Sequence, residues 1–193
     1  MKKFGINLLL IIVLFAMICG CSYQIEPKVK GEQIARYRPI VVKSADEYEI
    51  TEYIPYLLAI IEVESGGIGN DIMQASESLG LSPNSLSKER SVKQGCAYFA
   101  SLLAISRTKN CDFDSVLQAY NYGPAYLDYI AEHGHKHSLD LAIEYAKTKS
   151  HAEKLSYTNP IALKHNSGWR YSYGNMFYVE LIKKTNSLER WNK

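Results

Sequence analysis

The residue with the clearest capacity for chemistry is Glu64, a carboxylate on the apolar side of a predicted helix. The apolar spacing over residues 52–65 predicts this helix, in which successive side chains lie about 100° apart around the axis. When Ile54 is placed at zero, the apolar residues point on average towards about 280°, and Glu64 also lies at about 280°. Glu62 lies near 80°, on the opposite side. The sequence therefore predicts that Glu64 faces the core or a cleft, whereas Glu62 can be solvated.

A carboxylate in such a position has a raised pKa, because desolvation disfavours its charged form. A carboxylic acid that stays protonated near neutral pH can donate its proton to a leaving oxygen, which is general acid catalysis. An alternative stays open, since Glu64 falls in the last turn before Gly66 and Gly67, where its side chain could bend out to solvent. Helical phase alone does not decide between the two.

A run of three histidines, His133, His135 and His137, is the other group with potential for chemistry. Zinc sites use such residues, but no cysteine adjoins the run and it falls between predicted helices, so we predict no metal and no cofactor. The sequence also lacks the glycine-rich loop that cradles phosphate and the sharp turn that presents a catalytic serine.

Helices must position these residues, because helical periodicity dominates from about residue 37 and alternating strand patterns are scarce. Six or more helices with short connections predict a single all-α domain. The second helix has Ser91 as its predicted N-cap, with Gln94 completing a capping box. The other predicted helices cover residues 52–65 and about 114–120, begin after Pro124 and Ser138, and cover about 174–184.

The first residues have the pattern of a secretory signal, with Lys2 and Lys3 before an apolar run over residues 8–18 that is too short to indicate a membrane span. The end of this run, Ile-Cys-Gly-Cys21, resembles a bacterial lipoprotein signal, which implies cleavage before Cys21 and acylation of that cysteine. A plain signal peptide or an uncleaved anchor is the alternative. We predict a signal peptide over residues 1–20, a polar tether over 21–35 and a catalytic domain over 36–193.

The composition is that of a folded domain, since 47% of the 193 residues are hydrophobic and 22% are charged. The net charge of +2 is too small to indicate a nucleic-acid partner. Beyond the predicted signal, Cys96 and Cys111 remain. They could form a disulfide outside the cytoplasm, but Cys96 fits a helix core, so we favour free thiols.

Four sequence blocks in a fixed order resemble the CwlT-type muramidase domain, which is similar to goose-type lysozymes and lytic transglycosylases. Each block alone is weak evidence, but together they place the resemblance over about residues 36–185. The resemblance implies a lysozyme-like, all-α domain that acts on peptidoglycan and needs no metal. One departure is Asn175, where we expect an aspartate. The blocks are Glu-Ser-Gly-Gly from Glu64, Asp-Ile-Met-Gln-Ala-Ser-Glu-Ser from Asp71, Gln-Gly-Cys-Ala-Tyr-Phe-Ala from Gln94, and Tyr-Asn-Tyr-Gly from Tyr120.

The resemblance implies roles for residues in these blocks. Glu64 is implied as the general acid, and helical phase points independently to the same residue. Asp71 is the candidate second carboxylate, which would position water or stabilise an oxocarbenium-like state, with a loop cap as its alternative role. Glu77 is a weaker candidate for the same role. The implied sugar-cleft residues are Ser65, Met73, Gln74, Ser76, Glu77, Tyr120, Asn121 and Tyr122, of which Tyr120 could equally belong to the core.

We therefore predict an extracytoplasmic enzyme, lipid-anchored to the membrane of a Gram-positive bacterium, that cleaves the β-1,4 bond between N-acetylmuramic acid and N-acetylglucosamine in peptidoglycan. Because Asp71 favours water as the nucleophile, hydrolysis by a muramidase is favoured over lytic transglycosylation, which leaves 1,6-anhydro ends. The alternative from a different class is a non-catalytic wall-binding lipoprotein, or an assembly factor that opens the wall for a secretion or conjugation machine.

Overall fold

In a computed structural model, the described residues, 31–185 and Leu188, form a helical body with one small β-ribbon. The prediction of an all-α domain is confirmed. Two 3-10 turns, Thr51–Tyr53 and Ser76–Leu79, lie between the helices, and the ribbon consists of β1 (Lys154–Ser156) and β2 (Trp169–Tyr171). The helices are α1 (Arg38–Glu47), α2 (Ile54–Ser65), α3 (Lys88–Lys109), α4 (Phe113–Tyr122), α5 (Ala125–Glu132), α6 (Leu139–Lys149), α7 (Pro160–Asn166) and α8 (Tyr178–Lys183).

Helix α2 lies at the centre of the body, because its middle is apolar on every side. The five residues from Leu57 to Ile61 are all fully buried. Pro55 is tolerated because it lies in the first turn, and Gly66 ends the helix in the left-handed region with φ of 61°. Helix α2 contacts α1 and α8, and α4 contacts α3, α5 and α8. This packing places the last turn of α2, which carries Glu64, against α8.

The prediction that Ser91 is the N-cap of the second helix is wrong. Helix α3 begins one turn earlier, at Lys88, and Ser87 is its N-cap, with Oγ accepting a hydrogen bond from the Arg90 amide at 3.4 Å. Ser91 lies inside the helix and is fully buried. A Ser-x-x-Gln pattern does not distinguish a cap from a buried serine whose hydroxyl bonds another part of the chain.

The predicted start of α6 is confirmed, because Ser138 Oγ accepts a hydrogen bond from the Leu141 amide at 3.2 Å. The last helix is shorter than predicted and begins at Tyr178 rather than near residue 174. Asn175 precedes it in a loop, where Asn175 Oδ1 accepts a hydrogen bond from the Phe177 amide at 3.0 Å. This side-chain bond replaces a further helical turn.

Sequence periodicity did not predict α1, α7 or the ribbon. The two strands pair in antiparallel register, with Lys154 opposite Tyr171 and Ser156 opposite Trp169. Strands of three residues are too short for alternation to be detected in a sequence. The ribbon and α7 matter for function because the segment that joins them lines a pocket described below.

The folded domain begins earlier than the predicted boundary at residue 36. Residues 31–35 are helical, and Ile34 is only 1% exposed. Tyr37 Oη donates a hydrogen bond to the Gly67 carbonyl at 2.8 Å, which joins this segment to the loop after α2. The predicted signal peptide, Cys21 and the first part of the tether lie outside the described residues.

Both cysteines of the described part of the chain, Cys96 and Cys111, are free thiols. Burial raises the pKa of Cys96 to about 12, so this thiol is an inert member of the core. None of the helices between residues 31 and 185 is long and apolar enough to cross a membrane.

Candidate active site

The Glu64 carboxylate lies at the end of α2, where it meets Tyr178 of α8. Tyr178 is 1% exposed, and its Oη donates a hydrogen bond of 2.6 Å to Glu64 Oε1. Among the described residues, no donor bonds the second carboxylate oxygen, Oε2. One oxygen of Glu64 is thus fixed by the protein while the other is available to a ligand.

The pKa of Glu64 is raised from 4.5 to about 7. Burial is the largest cause, because desolvation disfavours the carboxylate. The hydrogen bond from Tyr178 acts in the opposite direction, whereas the negative charges of Glu77 and Asp71 raise the pKa further. A substantial fraction of Glu64 is therefore protonated at neutral pH, as a general acid requires. Glu62, which helical phase places on the opposite side of the helix, is partly buried and lines the same pocket as Glu64.

Two pockets meet near Glu64, and we name each after one of its tyrosines. Asn121 lines both and lies where they meet. The Tyr178 pocket, of about 490 Å³, is lined by Glu62, Val63, Glu64, Gly66, Asn121, Tyr157, Asn159, Pro160, Ile161, Asn175, Tyr178, Leu181, Lys184 and Thr185. The Tyr120 pocket, of about 600 Å³, is lined by Gln74, Ala75, Glu77, Ser78, Tyr98, Tyr120, Asn121, Tyr122, Gly123, Pro124, Tyr173 and Gly174.

Asp71, the expected second carboxylate, is enclosed by the loop that contains it. It is 1% exposed, and each of its oxygens accepts two hydrogen bonds. Oδ1 bonds the Ala75 amide at 2.9 Å and Ser91 Oγ at 2.6 Å, while Oδ2 bonds the Ser76 amide at 3.0 Å and the Ser76 hydroxyl. Burial alone would raise the pKa of Asp71, but these bonds outweigh it and hold the pKa below its ordinary value. This environment matches the loop-cap alternative and leaves no acceptor for a catalytic water.

Three other residues expected in the sugar cleft also hold this loop and line neither of the two pockets. Met73 is fully buried, and its amide donates to Ser91 Oγ at 2.9 Å. Ser76 is 1% exposed. Ser65 Oγ donates to the Ile72 carbonyl at 2.8 Å and accepts a bond from the Gly67 amide, which ties the end of α2 to the loop. These internal contacts account for the presence of the three residues without a bound sugar.

Two residues of this block that were expected in the sugar cleft line the Tyr120 pocket, Gln74 just before the 3-10 turn and Glu77 within it. Gln74 lines that pocket with its Nε2 bonded to the Asp71 carbonyl and to Asn84 Oδ1. Glu77 is exposed and lines the same pocket. Since its charge raises the pKa of Glu64, Glu77 lies within electrostatic reach of the acid.

The Tyr-Asn-Tyr block forms the end of α4 and lines the Tyr120 pocket as expected. Tyr120 is 8% exposed and donates from Oη to the Met73 carbonyl at 3.0 Å, so it belongs to both the core and the pocket wall. Tyr122 is 3% exposed, with its hydroxyl bonded to the Ala142 carbonyl at 3.1 Å. Asn121 Oδ1 accepts a bond of 2.6 Å from the Asn175 amide. This bond fixes the side chain and leaves its amide nitrogen as a donor at the junction of the pockets.

Sequence reasoning missed Tyr178, the partner of the acid, and Tyr157, which lines the same pocket. Asn175 Nδ2 donates to Tyr157 Oη at 3.1 Å. Tyr178 is one of fifteen tyrosines in the chain. No local pattern marks it, because its contact with Glu64 spans 114 positions. Asn175, at the position where an aspartate was expected, has a structural role in the loop before α8, where its Oδ1 accepts a hydrogen bond from the Phe177 amide.

The three histidines have separate partners. His133 Nδ1 lies 2.6 Å from the Tyr129 carbonyl oxygen, and His135 Nδ1 lies 2.9 Å from the Lys109 carbonyl oxygen. His137 Nδ1 lies 2.9 Å from Tyr126 Oη. In the described part of the chain, no three His, Cys, Asp or Glu residues are grouped as a metal site would require.

Comparison with known sequences gives one family and several bacterial relatives. Residues 31–186 match the lysozyme-like family model. The chain is 36% identical over 160 residues to the uncharacterized membrane protein YocA of Bacillus subtilis, which covers 82% of this chain and 71% of YocA. It is 29% identical over 186 residues to the pneumococcal vaccine antigen A of Streptococcus pneumoniae, covering 92% and 90% of the two chains.

Two further matches are longer proteins. The bifunctional muramidase/DL-endopeptidase CwlT of Bacillus subtilis is 30% identical over 153 residues, which are 79% of this chain but 41% of CwlT. A crystal structure of a Staphylococcus aureus protein, described as similar to a lipoprotein of the NLP/P60 family, is 50% identical and superposes with a TM-score of 0.78. The match covers 79% of this chain and 52% of that protein. The chain thus spans about half the length of these two proteins.

Proposed function

Because the chain belongs to the lysozyme-like family and has a CwlT-like domain, we propose that it cleaves the glycan strands of peptidoglycan between N-acetylmuramic acid and N-acetylglucosamine. The observation that carries this proposal is the Glu64 carboxyl, which lines the Tyr178 pocket and whose pKa is raised to about 7. CwlT is named a muramidase, and this chain matches 41% of it.

Glu64 supplies the proton that the reaction needs. In its neutral form it donates a proton from Oε2 to the glycosidic oxygen, so the bond to the departing sugar breaks and an oxocarbenium-like centre develops. The hydrogen bond from Tyr178 to Oε1 keeps the carboxyl oriented during this transfer. The same bond stabilises the carboxylate that remains after the proton has left.

Glu77 takes the role for which Asp71 was the first candidate. Both oxygens of Asp71 are saturated by protein donors, whereas Glu77 is exposed on the wall of the Tyr120 pocket. A carboxylate there can accept a proton from a water molecule that attacks the oxocarbenium-like centre, which completes hydrolysis. On this proposal Glu64 is the acid and Glu77 the base.

Lytic transglycosylation is the second candidate reaction, and the saturation of Asp71 favours it. With no second carboxylate at Asp71, a single acid would suffice if the 6-hydroxyl of the muramic residue attacked the same centre. Glu64 would then act first as acid and afterwards as base. Mass spectrometry of the products separates the reactions, since the anhydro end is about 18 Da lighter, the mass of one water.

Apart from Glu77, the Tyr120 pocket supplies a neutral surface for sugars. Tyr98 and Tyr173 line it as partly exposed rings, and rings of this kind stack on sugar faces. At the junction, the Asn121 amide nitrogen can donate to the carbonyl of an acetamido group. Amide donors and aromatic rings bind N-acetylated sugars without relying on charge.

The protein is proposed to act outside the cytoplasm, anchored through lipid on Cys21. The lipoprotein-like sequence before Cys21 supports this location, as do a relative named a membrane protein and a neighbour described as similar to a lipoprotein. Cys21→Ser should release the protein from the membrane fraction or block its processing. Retention of the variant in that fraction, with unchanged maturation under an inhibitor of lipoprotein processing, would exclude the anchor.

The test of catalysis compares two neighbouring glutamates of α2. Glu64→Gln keeps the shape of the side chain but removes the proton, so lysis of purified peptidoglycan should fall at least about a hundredfold. Glu62→Gln changes a carboxylate on the same pocket wall and should retain most of the activity. Full lysis by Glu64→Gln would exclude the acid role of Glu64. If the wild-type protein binds peptidoglycan without cleaving it, the result would instead support a wall-binding or assembly protein.

A further inference from the structure

The two pockets beside Glu64 differ in charge. In the Tyr120 pocket the charged lining residue is Glu77, and its other walls are neutral. The Tyr178 pocket contains Glu62 and Lys184 in addition to Glu64. Among the described residues that line either pocket, Lys184 is the one cation. An uncharged glycan strand offers this ammonium group no anionic partner. The presence of Lys184 in the Tyr178 pocket therefore needs another explanation.

Lys184 is held at the pocket by a partner that can release it. Its Nζ lies 2.6 Å from Glu180 Oε1, and the two side chains are 54% and 29% exposed. An exposed pair with a spacing of four residues contributes little to stability. Glu180 would not be left without a partner if Lys184 moved, because His165 Nε2 lies 2.8 Å from its other oxygen, Oε2. The ammonium group can therefore turn to a ligand at low cost.

The rest of the Tyr178 pocket is suited to a short peptide. Val63, Pro160, Ile161 and Leu181 provide apolar walls, while Tyr157 and Asn175 provide polar edges. Small apolar side chains and backbone amides match such a surface, and a carboxylate matches Lys184. In peptidoglycan, the substituent with this combination is the stem peptide that the muramic residue carries.

We propose that Lys184 binds a carboxylate of the stem peptide, so that the Tyr178 pocket selects the peptide-bearing muramic residue and the Tyr120 pocket takes the unsubstituted sugar. This rests on the proposed function, because it orients the same glycan strand across Glu64. It makes peptide-bearing strands better substrates than strands from which an amidase has removed the peptides.

The test compares Lys184→Gln with Lys183→Gln. Lys183 is the adjacent cation, but it pairs with Asp114 at 2.5 Å and lines neither pocket. For each protein, kcat/KM is measured on peptide-bearing strands and on peptide-free strands, and the ratio of the two values is compared. Lys184→Gln should lower this ratio about five- to tenfold, the scale of one charge-assisted hydrogen bond. Lys183→Gln should leave it unchanged.

Amidation of the peptide carboxylates provides the reciprocal change. On strands with amidated peptides, the wild-type ratio should fall to that of Lys184→Gln, and the variant should lose nothing further. An unchanged ratio in Lys184→Gln, or a ratio that is indifferent to amidation, overturns the proposal while leaving cleavage intact. Failure of the wild-type protein to cut either substrate would instead refute the proposed function.

Discussion

Tyr178 Oη lies 2.6 Å from Glu64 Oε1, and this contact joins α8 to the last turn of α2 across 114 positions of the chain. This hydrogen bond lowers the pKa of Glu64, because a donor to the carboxylate favours its charged form, whereas the larger effect of burial raises the pKa. The pKa of about 7 is therefore a balance that one hydroxyl group can shift.

Tyr178→Phe should move the pH profile to higher pH. Without the donor, the pKa of Glu64 rises, so the loss of kcat/KM on the alkaline side should begin at higher pH than in the wild type. The rate at the optimum should fall less than in Glu64→Gln, since the acid is still present. The profile is measured between pH 5 and 9, and an alkaline limb that does not move would show that Tyr178 does not act on the acid.

Glu64 should also make the stability of the protein depend on pH. Its pKa is raised in the folded state from about 4.5 to about 7, so the folded state binds this proton more tightly than the unfolded chain. The resulting stability is fully present below about pH 4.5 and is lost as the pH rises through about 7. The loss is at most about 3.5 kcal/mol, at about 1.4 kcal/mol for each pH unit.

Glu64→Gln removes this dependence and should be more stable than the wild type at pH 8, with the difference disappearing near pH 4.5. Denaturant unfolding at the two pH values measures it. Equal stability of the two proteins at pH 8 would contradict a desolvated, titrating Glu64.

Asp71→Asn should destabilise the fold. Each Asp71 oxygen accepts two hydrogen bonds. An amide nitrogen in place of one oxygen would face two donors and could not accept their hydrogen bonds. We expect a loss of about 2–4 kcal/mol, because buried donors are left unpaired. Thermal unfolding measures this loss. Unchanged stability together with lost activity would return Asp71 to the catalytic role that the sequence first indicated.

Glu77→Gln should have the opposite outcome, with activity lost and stability unchanged. Its side chain is exposed on the pocket wall, so the substitution removes charge without breaking a buried contact. If Glu77 is the base for water, kcat should fall at least about tenfold while the unfolding temperature stays the same. A variant that keeps wild-type kcat and gives anhydro products would establish the single-acid reaction.

The sequence predicted those parts of the molecule that follow from local pattern. Helical phase placed Glu64 in a cleft because the apolar stretch around it is long and regular. Glu62, which the phase places on the opposite side of the helix, lines the same pocket as Glu64, together with residues of α8 and of the segment before α7. The sequence of α2 alone does not predict either of these neighbours.

Residues that depend on distant contacts could not be found in this way. Ser91 and Asp71 are twenty positions apart and bond each other inside the fold. Because no local pattern indicates this bond, the sequence predicts a cap at Ser91 and a catalytic group at Asp71. A polar residue in a block that resembles a family motif gives the same sequence signal whether it contacts substrate or organises a loop. The contacts of its oxygens distinguish the two, and for Asp71 all of them are internal.

The central claim, that the Glu64 proton drives glycan cleavage, is tested most directly by the products that the protein releases from purified peptidoglycan. Muropeptides released by the wild type and by Glu64→Gln at pH 6, where Glu64 is mostly protonated, are quantified by mass spectrometry. We expect fragments with reducing muramic ends from the wild type and at least about a hundredfold less from the variant. Release of the same fragments at a similar rate by Glu64→Gln would contradict the claim.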